Sequence, residues 1–252
     1  MGPPVTIPAD LVDALGAAER VVVLSGAGVS AESGVPTFRD AQTGLWAQFD
    51  PAQLATLEAF RADPELVWRW YLWRRELVAQ AEPNAGHRAL VELAARVPSL
   101  TLVTQNVDSL HQRAGSREVL ELHGNIMRTV CAGCRTPSGG LVDLEGGLPR
   151  CGFCGDLLRP DVVWFGEALP ADVLARAAMA SRRADLFISA GTSSLVYPAA
   201  SLPYEALTGG AALVEVNPDP TPLTARARWS LRGPAGEALP ALLAAAFGPA
   251  DR

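Results

Sequence analysis

Lysine is absent. All 21 basic residues of this 252-residue chain are arginine. That rules out a Schiff-base lysine and a phosphate-loop lysine, two common ways of activating a carbonyl or gripping a nucleotide. An enzyme of this composition acting on acyl-lysine would also carry no side-chain lysine of its own to be acylated. Codon bias in an Ala-, Arg- and Pro-rich protein explains the absence without any functional reason. Long apolar runs are missing too. No stretch approaches the roughly 20 residues that span a bilayer. The first ten residues, MGPPVTIPAD, lack the charged-then-apolar order of a signal peptide. A cytoplasmic protein without a membrane partner is therefore expected. The net charge of −6 argues against non-specific nucleic-acid binding, so no direct nucleic-acid partner is expected, although a local basic groove is not excluded.

What is present suffices for one good core, or for one core with a small inserted module. Short apolar segments at 21–24, 100–104, 186–190 and 212–216 read as buried strands. Helical patterns at 84–96 and 170–182 lie between them, and 236–247 reads as a closing amphipathic helix. Strands alternating with helices predict an α/β fold, a Rossmann-like parallel sheet with helices on both faces. Each strand ends in a polar or glycine-rich segment: Ser-Gly-Ala-Gly, Gln-Asn-Val-Asp, Gly-Thr-Ser-Ser and Asn-Pro-Asp. Ligands in such sheets bind beyond the carboxyl ends of the strands, so these four segments should converge on one crevice. Residues 42–80, rich in Trp, Leu and Arg, read as a helical insert. Residues 128–158, which hold all four cysteines, read as a second insert. The sheet domain is then 1–41, 81–127 and 159–252.

Cys131-Ala-Gly-Cys134 and Cys151-Gly-Phe-Cys154 are separated by 16 residues. Two C-x-x-C pairs so spaced predict two knuckles closing a tetrahedral thiolate site for one structural zinc ion, with no open position for catalysis. Metal binding would fold the insert. The alternative is four reduced thiols or a redox pair. Arg135 and Arg150 adjoin the knuckles and are placed to balance the negative cluster.

Gly26-Ala-Gly28 after the first strand would let backbone N–H groups approach a diphosphate, with a helix dipole adding favourable charge. Alone this is weak evidence. The run is not a strict G-x-G-x-x-G, the acidic residue expected about 20 positions onward is missing, and a tight turn without ligand would read the same way. The continuation is more specific. The run from Gly26 through Ser30, Gly34, Thr37, Phe38 and Arg39 to Asp40 resembles the sirtuin signature. Further matches follow in order: Thr104-Gln-Asn-Val-Asp-Ser-Leu-His111, Leu122-His123-Gly124-Asn125, the cysteine pairs, Arg159-Pro-Asp-Val-Val-Trp-Phe-Gly-Glu167, Gly191-Thr-Ser-Ser and Val216-Asn217. The resemblance to the sirtuin family of NAD-dependent protein deacylases covers essentially residues 10–247.

That resemblance implies a mechanism and its residues. In sirtuins the acyl-lysine carbonyl oxygen attacks the nicotinamide ribose and nicotinamide leaves. A histidine then takes a proton from a ribose hydroxyl, and the products are free lysine, nicotinamide and O-acyl-ADP-ribose. Of the three histidines, His123 matches the base, and its titration range suits the task. His87 sits in a helix-start context, and His111 reads as local packing. The resemblance implies NAD contacts from Gly26, Ala27, Gly28, Ser30, Thr37, Phe38, Arg39, Gln105, Asn106, Asp108, Gly191, Thr192, Ser193 and Asn217. Gln105 and Asn106 fall in the reaction pocket with His123, and Phe38 could cover the reacting ribose. Residues 162–167, with Val162, Phe165, Gly166 and Glu167, would pair with the substrate protein as an added strand. Without the resemblance that segment reads as a plain hydrophobic strand.

Tyr71 and Arg74 are three apart, so on a helix they share a face. A phenol beside a guanidinium can receive a carboxylate through charge-assisted hydrogen bonds. Periodicity alone would make Arg74 a surface charge. Tyr-x-x-Arg at this place, however, resembles the acyl-recognition pair of desuccinylase-type sirtuins, and the small Ala59 would leave room for a longer acyl chain. Succinyl-, malonyl- or glutaryl-lysine is then expected over acetyl-lysine. Arg75, rotated about 100° from Arg74, is expected to meet solvent or glutamates. Two other readings use the same crevice: mono-ADP-ribosyl transfer to a protein nucleophile, and a non-catalytic NAD-sensing module with the zinc ribbon as its partner surface.

Overall fold

The structure, a computed structural model, describes residues 5–36, 50–140 and 142–248. Thr37, Phe38 and Arg39, expected at the NAD site, lie outside the described residues. The main sheet has six parallel strands. They are β1 (Arg20–Ser25), β2 (Ser99–Thr104), β3 (Val119–Glu121), β7 (Leu186–Ala190), β8 (Ala212–Val216) and β9 (Trp229–Leu231), in the order β3-β2-β1-β7-β8-β9. The interior strands are apolar on both sides because both faces are covered. Along β1, Val21 and Val23 pack on one face against α1 (Ala9–Ala17), α6 (Ala85–Arg96) and α10 (Ala235–Phe247). Val22 and Leu24 pack on the other against α8 (Ala171–Arg183) and α9 (Leu202–Thr208). Helix α6 starts on a reciprocal cap: Asn84 Oδ1 accepts from the Gly86 and His87 amides, and His87 Nδ1 accepts from the Asn84 amide. Its Leu90 and Leu93 are fully buried, a stabilisation of about 1.5–3 kcal/mol each.

The chain leaves β1 in one direction toward β2 and β3, then returns to β7 on the opposite side. This reversal makes a crevice at the carboxyl ends of β1 and β7. The register puts Ser25, Thr104, Ala190 and Val216 level, so all four predicted loops leave the sheet at one edge.

A second lobe stands beside that edge. Its sheet is antiparallel, in the order β5-β4-β6, from β4 (Gly124–Cys131), β5 (Pro137–Ser138) and β6 (Leu158–Val162). Its helices are α3 (Pro51–Leu54), α4 (Leu57–Ala62) and α5 (Pro64–Gln80). The two inserts of the sequence share one apolar core. Phe60, Val67, Trp68, Trp70 and Tyr71 from the helices pack with Ile126, Cys131, Leu158 and Trp164. The small sheet also begins and ends wider than residues 128–158.

Helix α5 begins sharply because Asp63 caps the Leu66 amide and Pro64 occupies the first turn. It buries Val67, Trp68, Trp70, Tyr71 and Val78, a broader face than one amphipathic stripe. That breadth corrects the expectation for Arg75. The residue lies one heptad after Trp68, faces β4 and is half-buried, not turned to solvent.

Candidate active site

The polar groups at the crevice are tied to one another rather than left pointing at solvent. Ser25 Oγ donates to Thr104 Oγ1 at 2.8 Å and meets His111 Nε2 at 2.7 Å. Asn106 Nδ2 donates to Gly26 O and to Ser30 Oγ, both at 3.0 Å. Ser30 Oγ in turn donates to Asp108 Oδ2 at 2.7 Å. Gln105 Nε2 reaches Thr192 Oγ1 at 2.9 Å, and Asn217 Nδ2 reaches Thr192 O at 2.9 Å. Residues from four loops thus form one hydrogen-bonded wall. Burial pushes the Asp108 carboxyl up, against the lowering effect of the Leu110 amide and the Ser30 hydroxyl.

The glycines at this wall also serve the packing of one loop on another. The amides of Gly26 and Gly28 donate to Ala190 O (3.0 Å) and Gly191 O (2.8 Å). A Cβ at Gly28 would lie 2.8 Å from Gly191 Cα, and one at Gly26 2.7 Å from Gly191 O. The glycines let the loops after β1 and β7 pack backbone to backbone. Helix α2 (Ala27–Ala31), just five residues long, has little dipole to add.

His123 sits where the sheet domain passes into the second lobe. Its Nδ1 lies 2.9 Å from Gln105 O. A carbonyl can only accept, so Nδ1 carries the proton and Nε2 keeps the lone pair. Burial lowers the His123 pKa, with the Gln105 carbonyl opposing it, so the ring is neutral near pH 7. Next to it, Gly124 has φ +76°, and a Cβ there would sit 2.2 Å from Asp161 O. Only glycine allows β4 and β6 to close beside the histidine.

His87 and His111 lie beneath the crevice with ring centroids 4.8 Å apart. Burial brings His87 down to about 4 and His111 down to about 3. Both are buried and neutral. The packing role read for His111 therefore includes a hydrogen bond to the Ser25 hydroxyl.

The four cysteine sulfurs all lie within 4.8 Å of one another, with Cys131–Cys154 at 3.3 Å and Cys134–Cys151 at 3.8 Å. Zn–S bonds of about 2.3 Å in a tetrahedron place sulfurs roughly 3.8 Å apart. The amides of Cys134 and Phe153 point at sulfurs 3.4 Å away, as suits thiolates. The donor set fits one structural zinc ion. Of the flanking arginines, Arg135 is 3.7 Å from Asp161, and Arg150 donates to Gly155 O beside the second knuckle.

In the substrate-strand segment, the amides of Val163, Trp164, Phe165 and Glu167 have partners: His123 O, Glu167 Oε2, Ala55 O and Trp164 O. The Gly166 amide has none among the described residues, and Phe165 is 48 % exposed. Val162 is paired with Gly124. Glu167's carboxylate is committed to the buried Arg159 at 2.6 and 2.7 Å. Glu167 can therefore join an added strand only through its backbone.

In the second lobe, Tyr71 is fully buried and its hydroxyl accepts from Trp164 Nε1 at 2.8 Å. Burial pushes the phenol up to about 12, so it stays a neutral donor. Arg74, half-buried, lies over the Trp70 ring, 4.9 Å from its centroid; burial lowers its pKa and the nearby Asp108 carboxyl opposes that. Ala59 packs against the edge of the lobe's core.

Residues 26–198 match the Sir2 family model. The chain belongs to the Sir2 family. It is 53% identical over 230 residues to an NAD-dependent protein deacylase of Mycolicibacterium paratuberculosis, covering 89% of this chain and 96% of that one. It is 52% identical to NAD-dependent protein deacylase 1 of Pseudomonas aeruginosa, covering 94% and 98%. A Sir2 homologue solved as a complex with NAD superposes with a TM-score of 0.88 at 47% identity, covering 96% and 95%. A Sir2 structure with a p53 peptide and NAD+ superposes at 0.84 with 34% identity, covering 94% and 98%. NAD and one structural zinc ion are accordingly the cofactors of this Sir2 enzyme, and no helix among the described residues is long and apolar enough to cross a membrane.

Sequence reasoning missed one group at this wall. Glu215, buried in β8, accepts from Thr221, from Thr224 at 2.6 Å and from Arg232 at 3.0 Å. Arg232 also holds Asn217 O and Asp219 O. This hub fixes the turn that carries Asn217. The available signal was a glutamate inside the apolar run Ala-Leu-Val-Glu-Val.

Proposed function

We propose that this Sir2-family NAD-dependent protein deacylase removes succinyl, malonyl or glutaryl groups from protein lysine in preference to acetyl, releasing nicotinamide and O-acyl-ADP-ribose. The observation that carries the reading is the Tyr71–Arg74 pair. It stands on one helix face, with the phenol held by Trp164 and the guanidinium near Asp108 of the crevice. Among the described residues the Tyr71 hydroxyl has no acceptor for its own proton, so it can donate to an acyl carboxylate beside Arg74.

Bound NAD supplies the ribose to which the acyl group passes. The chain supplies the rest. Gln105, Asn106, Asp108, Thr192 and Asn217, with Gly26, Ala27, Gly28, Ser30, Gly191 and Ser193, form the dinucleotide wall. His123 Nε2 takes a proton at the crevice floor, its orientation set by the Gln105 carbonyl. The acyl-lysine protein pairs along residues 162–167, using the Gly166 amide and exposed carbonyls, with Val162 and Phe165 beneath it. Ala59 leaves room at the acyl end.

Acetyl-, malonyl-, succinyl- and glutaryl-lysine peptides of one sequence would be compared by kcat/KM, with products weighed. Higher values for the acidic acyl groups, with O-acyl-ADP-ribose formed, support the reading. A higher value for acetyl-lysine overturns the preference. ADP-ribosylated protein, or NAD binding without turnover, would indicate transfer or sensing instead.

A further inference from the structure

Helix α5 carries two adjacent arginines, and the reading above uses only Arg74. Arg75 is engaged more closely than any acyl-reading role requires. Its Nε donates to Ile126 O at 2.5 Å, and its Nη2 donates to Arg128 O at 2.7 Å and to Thr129 Oγ1 at 3.0 Å. Its guanidinium lies over the Trp68 ring, 5.2 Å from the centroid.

The acceptors belong to an irregular stretch of β4. The ladder between β4 and β6 pairs Asn125 with Asp161, then jumps to Thr129 with Pro160. Three β4 residues, 126 to 128, therefore have no opposite number. Pro160 has no N–H to offer across the gap. A bulge of this kind bends a strand and leaves carbonyls that need other donors. Arg75 provides them from the neighbouring helix, through a planar fork that lysine cannot reproduce.

The bulge begins three residues after His123. Arg75 therefore ties the strand next to the base to the helix that bears Tyr71 and Arg74. Other polar contacts also hold α5, among them Trp68 Nε1 to Leu158 O, Trp164 Nε1 to the Tyr71 hydroxyl and Arg113 Nη1 to Val78 O. The first two reach toward β6 and the residues after it, and the Arg113 contact holds only a carbonyl near the end of the helix. Arg75 alone among these reaches β4. Its contact fixes the roll of the helix about its axis, and a roll would carry Tyr71 and Arg74 together away from the crevice that His123 faces.

We propose that Arg75 is a positioning residue for acyl selectivity: by filling the β4 bulge it fixes the roll of α5, so that Tyr71–Arg74 and His123 address the same acyl-lysine. The inference rests on the acidic-acyl reading. Burial brings the Arg75 pKa down to about 10, so the fork stays charged at neutral pH and its bonds are charge-assisted.

The test is a mutant cycle on the zinc-loaded enzyme. Arg75→Met keeps an unbranched stem under Trp68 and removes the donors. Arg74→Met and the double variant complete the cycle, and Arg75→Lys provides a second probe should the Met variant fail to fold. For each, kcat/KM is measured on succinyl- and acetyl-lysine peptides, together with KM for NAD and zinc content. Arg75→Met should lower the succinyl-to-acetyl ratio by about tenfold, with KM for NAD and zinc content unchanged. Arg75→Lys should fall between it and the wild type. In the Arg74→Met background, Arg75→Met should change the ratio no further, because it acts through Arg74. Equal losses on both peptides, or a ratio that falls again in the double variant, would overturn the inference and leave Arg75 a structural tie. Should Arg74→Met itself leave the ratio at the wild-type value, the acidic-acyl reading fails and the inference falls with it. A collapsed ratio in Arg74→Met beside an unchanged ratio in Arg75→Met sinks the inference alone.

Discussion

The sheet domain and the second lobe solve the same problem by different means. Each must hold polar side chains in fixed places against a substrate. The sheet domain does so with strand ends already in register, so Ser25, Thr104 and Ala190 emerge level and their loops bond to one another. Its two apolar layers lie on either side of the sheet and draw on strands and helices along the whole chain. The second lobe has one small core drawn from two distant stretches, residues 54–78 and 126–164. Below a certain size an apolar core cannot carry a fold, and a metal or cross-link makes up the difference. The comparison teaches that His123 and the wall of polar loops are held by the sheet, whereas Tyr71 and Arg74 sit in a lobe that zinc helps to fold.

Breaking the zinc site should separate the lobes most sharply. Cys131→Ala is expected to release the metal, expose amides over residues 126–164 and abolish turnover, while the sheet strands keep their hydrogen-exchange protection. Metal analysis and exchange mass spectrometry check this. A metal-free protein of full activity would remove zinc from the account.

His123→Ala tests the sheet side of the boundary. It should cut kcat by at least about two orders of magnitude, the scale of a general base, and leave NAD affinity within about tenfold, read by calorimetry. Because burial lowers the His123 pKa, the acid limb of kcat/KM should fall below the ordinary histidine value of about 6.5. A limb above that value would contradict a buried neutral ring.

Arg74→Met sharpens the lobe side. The Michaelis constant for succinyl peptides should rise by roughly one to two orders of magnitude, as for a lost charged hydrogen bond of about 1.5–3 kcal/mol. The acetyl peptide should change far less. Steady-state kinetics on paired peptides decide it.

Acid sensitivity of the sheet domain bears on its stability rather than on turnover. His87 and His111 have folded pKa values of about 4 and about 3, below the unfolded value of about 6.5. The unfolded chain therefore binds protons that the folded one refuses. Their contribution is complete above pH 6.5 and declines as pH falls toward those folded values. Each ring can cost up to about 1.4 kcal/mol per pH unit in that window. Denaturant titrations at pH 7 and pH 5 measure it, and an unchanged midpoint would mean the rings are not held neutral.

Much of this was legible in the sequence. The strand patterns at 186–190 and 212–216 coincide with β7 and β8, and helix 84–96 begins on its Asn84 cap. Interior parallel strands are continuous apolar runs bounded by polar loops, and such runs survive without tertiary help. The cysteine spacing was equally direct, because thiolate knuckles are local. Strands β3 and β9 left no readable pattern, since three-residue edges carry too few positions.

The sequence by itself determined the alternation of strand and helix, the four polar segments at the carboxyl ends of the strands, and the four sulfurs of one knuckle pair. Tertiary structure alone decided that the two inserts share a core, that the glycines of the first loop serve loop packing, and that Glu215 anchors the Asn217 turn. It also decided the fate of Arg75. Helical periodicity states which residues share a face, but not how many faces are covered. Here α5 is covered on more than one side, because β4 bulges opposite Pro160 and presents its carbonyls to the helix. Such a contact joins residues some 50 positions apart, and it depends on packing that no local pattern encodes.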